Sequence, residues 1–316
     1  MSGLLLAETA RPTFARHETF HPRFGWLRKA VEHTTADPAV FGLPDAPVLL
    51  GVGKNMVNAI RYWGLAFKVL EAVPNPDRPR MPLYGPTTFG ERLLGDGGWD
   101  PWLEDSGSLW LLHWSLLQAP CTAPVWWVAF HDFAAQQFDE AQLTSQVLEL
   151  TTAANWESVL PASVRKDVDC LLRTYTVRRH GRSGLDDILD CPFRELGLIE
   201  SAPGGGGYRF VVGEKSSLPD DVVAYAALQF AAHGDARSIS VARLSHDPGS
   251  PGAAFRLTER ALHDALRRVA LRVPALKVVE PGGLRQLLID AEPTILAEQI
   301  LASYYEPAVK ASRGAA

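Results

Sequence analysis

Residues 51–64 read GVGKNMVNAIRYWG. Two glycines lead into a lysine, and a run with helical spacing follows. Met56, Val57, Ile60 and Trp63 make an apolar stripe that Phe67 continues. Lys54, Asn55, Asn58 and Arg61 fall on the other side, with Tyr62 at its edge. Three structures compete for this pattern: a phosphate-binding loop, a nucleic-acid-reading helix, and an ordinary amphipathic helix after a tight turn. A phosphate loop of the form G-x-x-x-x-G-K-[ST] needs glycine at 48 and a hydroxyl at 55. The chain has Val48 and Asn55, so that reading fails. The ordinary amphipathic helix is the commoner outcome of such a stripe. The polar face favours the second structure. Asparagine can pair with adenine, arginine with guanine, and lysine with phosphate. A helix N-terminus draws anions through its free N–H groups. Gly51 and Gly53 supply the sharp turn of a helix-turn-helix.

The neighbourhood is cationic. Arg16, His17, His21, Arg23, Arg28 and Lys29 precede this helix, and Arg78 and Arg80 follow it. Phosphate contacts are expected from these cations and base contacts from the helix. Residues 11–80 hold ten Lys/Arg against six Asp/Glu, whereas the whole chain of 316 residues carries a net charge of −5. One basic working end on an acidic remainder is the implied layout.

Outward from the opening helix, TFHPRFGWLRKAVEH (19–33) predicts a first helix with Phe24, Leu27 and Val31 on one face. Asp37-Pro38 signals a second helix start, extending towards PDAPVLL. The proline-rich AVPNPDRPRMPLYGP predicts a loop or wing. Thr88 and Glu91 have capping-box spacing for a short helix. Asp100-Pro101 repeats the helix-start signal, with Ser106 or Ser108 as the cap of a longer apolar helix. Helices are expected from about Asp139, over SVRKDVDCLLRTYTV with Val164, Val168, Leu171 and Tyr175 on one side, and over PDDVVAYAALQFAAH. GLIES and YRFVV predict two strands joined by the GGGG turn, which has no lysine and no phosphate-loop context. The C-terminal order of helix, helix, strand, turn, strand outlines a second winged helix. The expected fold is mainly α with small β-hairpins: a winged-helix domain over 11–95, a helical aromatic-rich region over 96–157, and a helical domain with hairpins over 158–306.

An apolar content of 47% suits a globular chain of this length. Three scattered cysteines form no C-x-x-C pair, which speaks against structural zinc and fits a reducing cytoplasm. The N-terminus MSGLLLAETARP lacks the pattern of a signal peptide, and no apolar run reaches ~18 residues, so no membrane partner is expected.

The chemistry is less legible. Glu91, Asp96, Asp100, Glu104 and Asp105 fall close together, and clustered carboxylates can hold a divalent metal for phosphodiester cleavage. Capping roles explain Glu91 and Asp100 equally well. His17 and His21, with Glu18, form an N-terminal polar group in which a histidine can act as general base or phosphate ligand. His131-Asp132 and His113 are further candidates, although a lone histidine among aromatics is more often a core residue. No H-x-H, H-N-H, PD…(D/E)-x-K or H-E-x-x-H pattern is present.

FARHETFHPRFGWLRKA with APVLLGVGKNMVNAIRYW, and later YGPTTFGERLL, GGWDPWLEDSGSLWLLHW and CPFRELGLIE, resemble the SspB-like family associated with bacterial DNA phosphorothioate modification. The resemblance runs from about residue 11 to 305. It implies a DNA-nicking endonuclease that opens a strand for sulfur incorporation in a phage-defence system. It also implies DNA, a cysteine desulfurase, an ATP pyrophosphatase and an ATPase as partners; the oligomeric state and the cofactor stay open, with a homodimer and a divalent metal such as magnesium as the candidates. Arg16, His17, His21, Arg23, Lys54, Asn55 and Arg61 stand at family-like positions. The expected DNA contacts are Arg16, Arg23, Lys54, Asn55, Asn58, Arg61, Arg78 and Arg80. The candidates for cleavage are His17, His21, Glu91 and Asp105, with the metal ligands open. Two alternatives remain at this stage: a non-catalytic DNA-binding adaptor or transcriptional regulator, and an assembly scaffold that docks partners through WDPWLEDSGSLWLLHWSLL.

Overall fold

In the computed structural model, residues 2–177, 190–204, 206–234 and 236–314 are described. The turn at residues 51–53 organises the N-terminal part. Gly51 takes a left-handed φ of 64° and ends helix α3 (Ala46–Leu50). Gly53 then starts α4 (Lys54–Ala66) from an extended conformation. Only glycine adopts the φ of Gly51 without strain. With α2 (Trp26–Ala36) in front and the antiparallel strands β1 (Leu70–Val73) and β2 (Leu83–Pro86) behind, the order is that of a winged helix. Residues 74–82, with four prolines, form the wing between the strands. Val57, Ile60, Trp63 and Phe67 are buried as the stripe predicts. Tyr62 differs from expectation. It is buried, and its phenol donates to the Thr122 carbonyl at 3.1 Å.

Several start signals read differently in three dimensions. The first helix begins at Trp26, because Gly25 stands at φ 75° just before it. Phe24 therefore lies outside the helix and is exposed. Asp37 ends α2 in extended backbone, and its carboxylate accepts from Ala39 N at 2.8 Å. The chain beyond makes only a short 3-10 turn, Val40–Gly42, and α3 is separate. Thr87, one residue earlier than the expected cap, accepts from Gly90 N and starts α5 (Thr88–Leu94). Asp100 folds a turn by accepting from Glu104 N and Asp105 N. The cap of α6 (Ser106–Leu117) is Asp105, neither Ser106 nor Ser108. In each case a carboxylate or hydroxyl has several N–H groups within reach, and spacing alone does not choose among them.

α6 and α7 (Pro124–His131) are apolar all round and form the centre. Trp110, Trp114, Trp126 and Trp127 are fully buried. The aromatic stretch expected as a docking surface is therefore core. Its exposed exception is Trp102, which lies beneath the Arg28 guanidinium. α8 (Glu140–Ala153) starts with a capping box between Asp139 and Gln142. α9 (Pro161–Tyr175) buries Val164, Val168, Leu171 and Tyr175 as predicted. Strands β3 (Gln137–Phe138), β4 (Ile199–Ser201) and β5 (Tyr208–Phe210) make a sheet of order β3-β5-β4. The glycine-rich turn joins β4 to β5, with Gly205 outside the described residues.

The C-terminal part is a second and fuller winged helix. α10 (Asp220–Ala232), β6 (Ser238–Ser240), α11 (Val241–His246), α12 (Pro251–Phe255) and α13 (Glu259–Ala270) lead to β7 (Leu276–Val279) and β8 (Gln286–Ile289). The sheet order is β6-β8-β7. α14 (Pro293–Gly314) packs along α10 and runs beyond Tyr305, where the last helix was expected to stop. Cys121, Cys170 and Cys191 are free and buried. Among the described residues no helix is long and apolar enough to cross a membrane.

Candidate nucleic-acid interface

The first winged helix sorts its cations into two groups. Arg28 donates to the Leu94 carbonyl and pairs with Asp96. The Lys29 ammonium donates to the Leu50 carbonyl at the end of α3, at 2.6 Å. Arg23 lies 3.3 Å from Asp190 and over the rings of Phe20 and Trp26. These three hold the fold. Arg16, Lys54, Arg78 and Arg80 are exposed, and among the described residues none has an ion-pair partner. Lys54 and Asn55 form the first turn of α4, and Arg78 and Arg80 lie in the wing. Helix N-terminus and wing are the two parts a winged helix sets against a duplex. Gly53 offers no side chain to the first N–H groups of α4, so they remain open to an anion. Asn58 and Arg61 are half-buried further along the helix. The Asn58 amide donates to Glu18 at 3.4 Å, and the Arg61 guanidinium lies 5.7 Å from the Tyr84 ring centre.

The segment ARHETFH (15–21) is a strained knot against this helix. Ala15, Glu18 and Thr19 all have positive φ, at 55°, 51° and 66°. Non-glycine residues hold such values only when their surroundings over-determine them. Here Asp167 of α9 accepts from Ala15 N and from the His17 ring, both at 2.8 Å. Because the same oxygen accepts from a backbone N–H, His17 Nε2 carries the proton it shares with Asp167. The imidazole is fully buried and stacks on Trp63 at 17°. Arg173 donates to the Thr19 carbonyl at 2.6 Å, and the Trp63 indole to the Phe20 carbonyl at 2.9 Å. His21 is also buried and bonds Asp190 at 2.6 Å. Burial lowers its pKa, against the opposing pull of Asp190. The knot leaves Arg16 exposed next to the buried His17, and Glu18 reaches Asn58 on the polar face of α4. Asp167 and Asp190 stand 150 and 169 residues from the histidines they hold, so no local signal in the sequence marks them.

The second winged helix pairs most of its cations internally; the exposed Arg267 of α13 has no ion-pair partner among the described residues. Arg268 makes two bonds to Asp220, at 2.6 and 2.7 Å, and Arg272 two to Asp221, at 2.8 and 2.6 Å. Arg260 lies 3.7 Å from Asp264, and the wing residue Arg285 lies 3.5 Å from Glu280. The bidentate pairs of Arg268 and Arg272 occupy both partners. The two winged helices share an outline and differ in which of their charges are free.

The carboxylates and histidines named as catalytic candidates do not converge. Glu91 is exposed on α5, while Asp105 caps α6 and accepts from the Tyr304 hydroxyl at 2.7 Å. Among the described residues no three His, Cys, Asp or Glu side chains gather as metal ligands. Magnesium asks for less than such a cluster: one or two carboxylates hold it, with waters and substrate phosphates completing the octahedron.

His113 is a core histidine, and His131, half-buried, lines a cavity at the end of α7. His113 Nε2 donates to the Ala254 carbonyl at 2.9 Å, so Nδ1 accepts from the Tyr175 hydroxyl at 2.8 Å. His131 Nδ1 accepts from Gly249 N at 3.2 Å. Burial pushes their pKa values down to about 4 and about 3. Both are neutral in the fold and take up protons near 6.5 once unfolded. Their stability contribution is therefore complete above that pH and is lost as pH falls towards 4. Urea unfolding between pH 7 and 5 should show a loss approaching ~1.4 kcal/mol per histidine per pH unit. His113→Gln should show a shallower slope; an unaltered slope would contradict the assignment.

With this geometry in place, comparisons with known proteins bear on the chain. The family model described as "Protein of unknown function (DUF4007)" matches residues 14–305. Two solved structures are similar, one titled "SspB crystal structure" and one "Magnesium ion-bound SspB crystal structure". Both are 44% identical, with a TM-score of 0.90 and 90% coverage of the solved chain. They cover 96% and 95% of this chain. No curated protein matches.

Proposed function

This chain belongs to the DUF4007 family, and from that premise we propose that it is the DNA-binding, strand-nicking component of a single-strand DNA phosphorothioation system. The reading rests on the similarity to SspB over nearly the whole chain and on one observation in the fold. The unpaired cations Arg16, Lys54, Arg78 and Arg80 are carried by the loop, helix start and wing of the first winged helix. Such a surface supplies sequence-independent phosphate affinity, with Asn55 at the helix start as the exposed base-reading amide. The related magnesium-bound structure makes magnesium the first metal to supply in an assay.

A second reading has its own support. His17, His21 and Asp105 are occupied by structural partners, as expected of an adaptor that places DNA for another enzyme. Supercoiled plasmid with purified protein distinguishes the two. Magnesium-dependent conversion to open circle is the expected result. Plasmid that is bound and shifted but never nicked, with any divalent metal, would remove the nickase and leave the adaptor.

A further inference from the structure

Arg256 ends α12 with a left-handed φ of 53°, a costly conformation for arginine. Its guanidinium lies 3.9 Å from the Phe210 ring centre and donates to the Ala129 carbonyl. Among the described residues no carboxylate lies within ion-pair distance of it. A largely buried cation without a counter-charge is expensive to keep. The positive field is felt nearby: burial and then Arg256 push the Lys215 pKa down to about 8.

Arg256 lines a cavity of about 620 Å³ between the end of α7 and the second winged helix. His131, Asp132, Ser245 and Thr258 share that lining. Four buried polar atoms there lack a protein partner: His131 Nε2, Asp132 Oδ2, Ser245 Oγ and Arg256 Nε. His131 Nδ1 accepts from Gly249 N, so Nε2 bears the proton and is a donor. The pocket thus combines a guanidinium, an imidazole N–H and a hydroxyl, opposed by the Asp132 carboxylate and, at the rim, by Glu259, which lies 4.0 Å from Arg285. Donors of this kind around an uncompensated arginine suit a tetrahedral oxyanion, and the volume is that of a small-ligand site.

We propose that this pocket binds a phosphate group, carried either by a free nucleotide or by the backbone of bound DNA. It stands apart from the first winged helix, and inorganic phosphate reads it without any DNA present. Titration calorimetry on the full chain at fixed ionic strength would use three probes: inorganic phosphate, a 5′-deoxymononucleotide, and an oligonucleotide without terminal phosphate. Phosphate and mononucleotide are expected to bind, with Arg256→Gln weakening both by roughly ten-fold or more. Loss of affinity in Arg256→Gln for the oligonucleotide alone would identify the backbone as the source. Asp132→Asn removes a like charge and should tighten phosphate. If Arg256→Gln does not fold, Ser245→Ala weakening and Asp132→Asn tightening carry the test. No binding of any probe, or binding that none of these variants alters, overturns the proposal.

Discussion

Replacing Asp167 with alanine is expected to destabilise the protein by about 2–6 kcal/mol, since each of two donors left without an acceptor costs about 1–3 kcal/mol. The change strips the acceptor from two buried donors at once, Ala15 N and His17 Nε2. It also frees a segment in which three residues sit at positive φ. Asp167→Asn keeps an acceptor oxygen and should cost markedly less. Burial raises the Asp167 pKa, with the His17 bond opposing the rise. Urea unfolding of the two variants at pH 7 measures the difference. The experiment also addresses His17. If its role is to hold the knot, Asp167→Asn should retain both fold and DNA affinity. Equal, small losses in both variants would show that the knot is held elsewhere.

Replacing Lys54, Arg78 and Arg80 together should reduce DNA affinity by on the order of 100-fold at 0.15 M salt and flatten the log–log salt dependence by about three units. Each cation that neutralises a phosphate releases about one counterion, and three such contacts account for both effects. All three side chains are exposed, so the unfolding midpoint should stay where it is. Arg268→Ala, in the second winged helix, should leave DNA affinity unaltered because its partner in the fold is Asp220. A fluorescence-anisotropy titration at several salt concentrations gives both quantities. An unaltered slope in the triple variant, or a loss in Arg268→Ala matching it, would move the DNA face away from the first winged helix.

The opening stretch shows how far sequence reaches. Its apolar period placed Val57, Ile60, Trp63 and Phe67 in the core, and its glycines marked the turn. An amphipathic stripe has two edges, and the packing of α4 against Thr122 decides that the edge carrying Tyr62 is covered. The caps Thr87 and Asp105 stand one residue before the nearest expected ones for a related reason. The competing caps lie within one turn of each other, and only the finished backbone shows which N–H groups need an acceptor.

The candidate site was legible as a composition and not as an arrangement. Sequence by itself determined a mainly helical chain, two helix-turn-helix outlines followed by hairpins, and a basic N-terminal end. These follow from side-chain period, turn residues and charge counts, all properties of neighbours along the chain. Tertiary structure decided which cations are free. Arg28 meets Asp96 and Arg23 meets Asp190, while Lys54, Arg78 and Arg80 meet no carboxylate among the described residues. It also placed His17 on Asp167, inside the core and away from solvent. Pairing and burial depend on segments up to 169 residues apart coming into contact. Such contacts are set by how the helices pack, which the local pattern of any one segment does not contain.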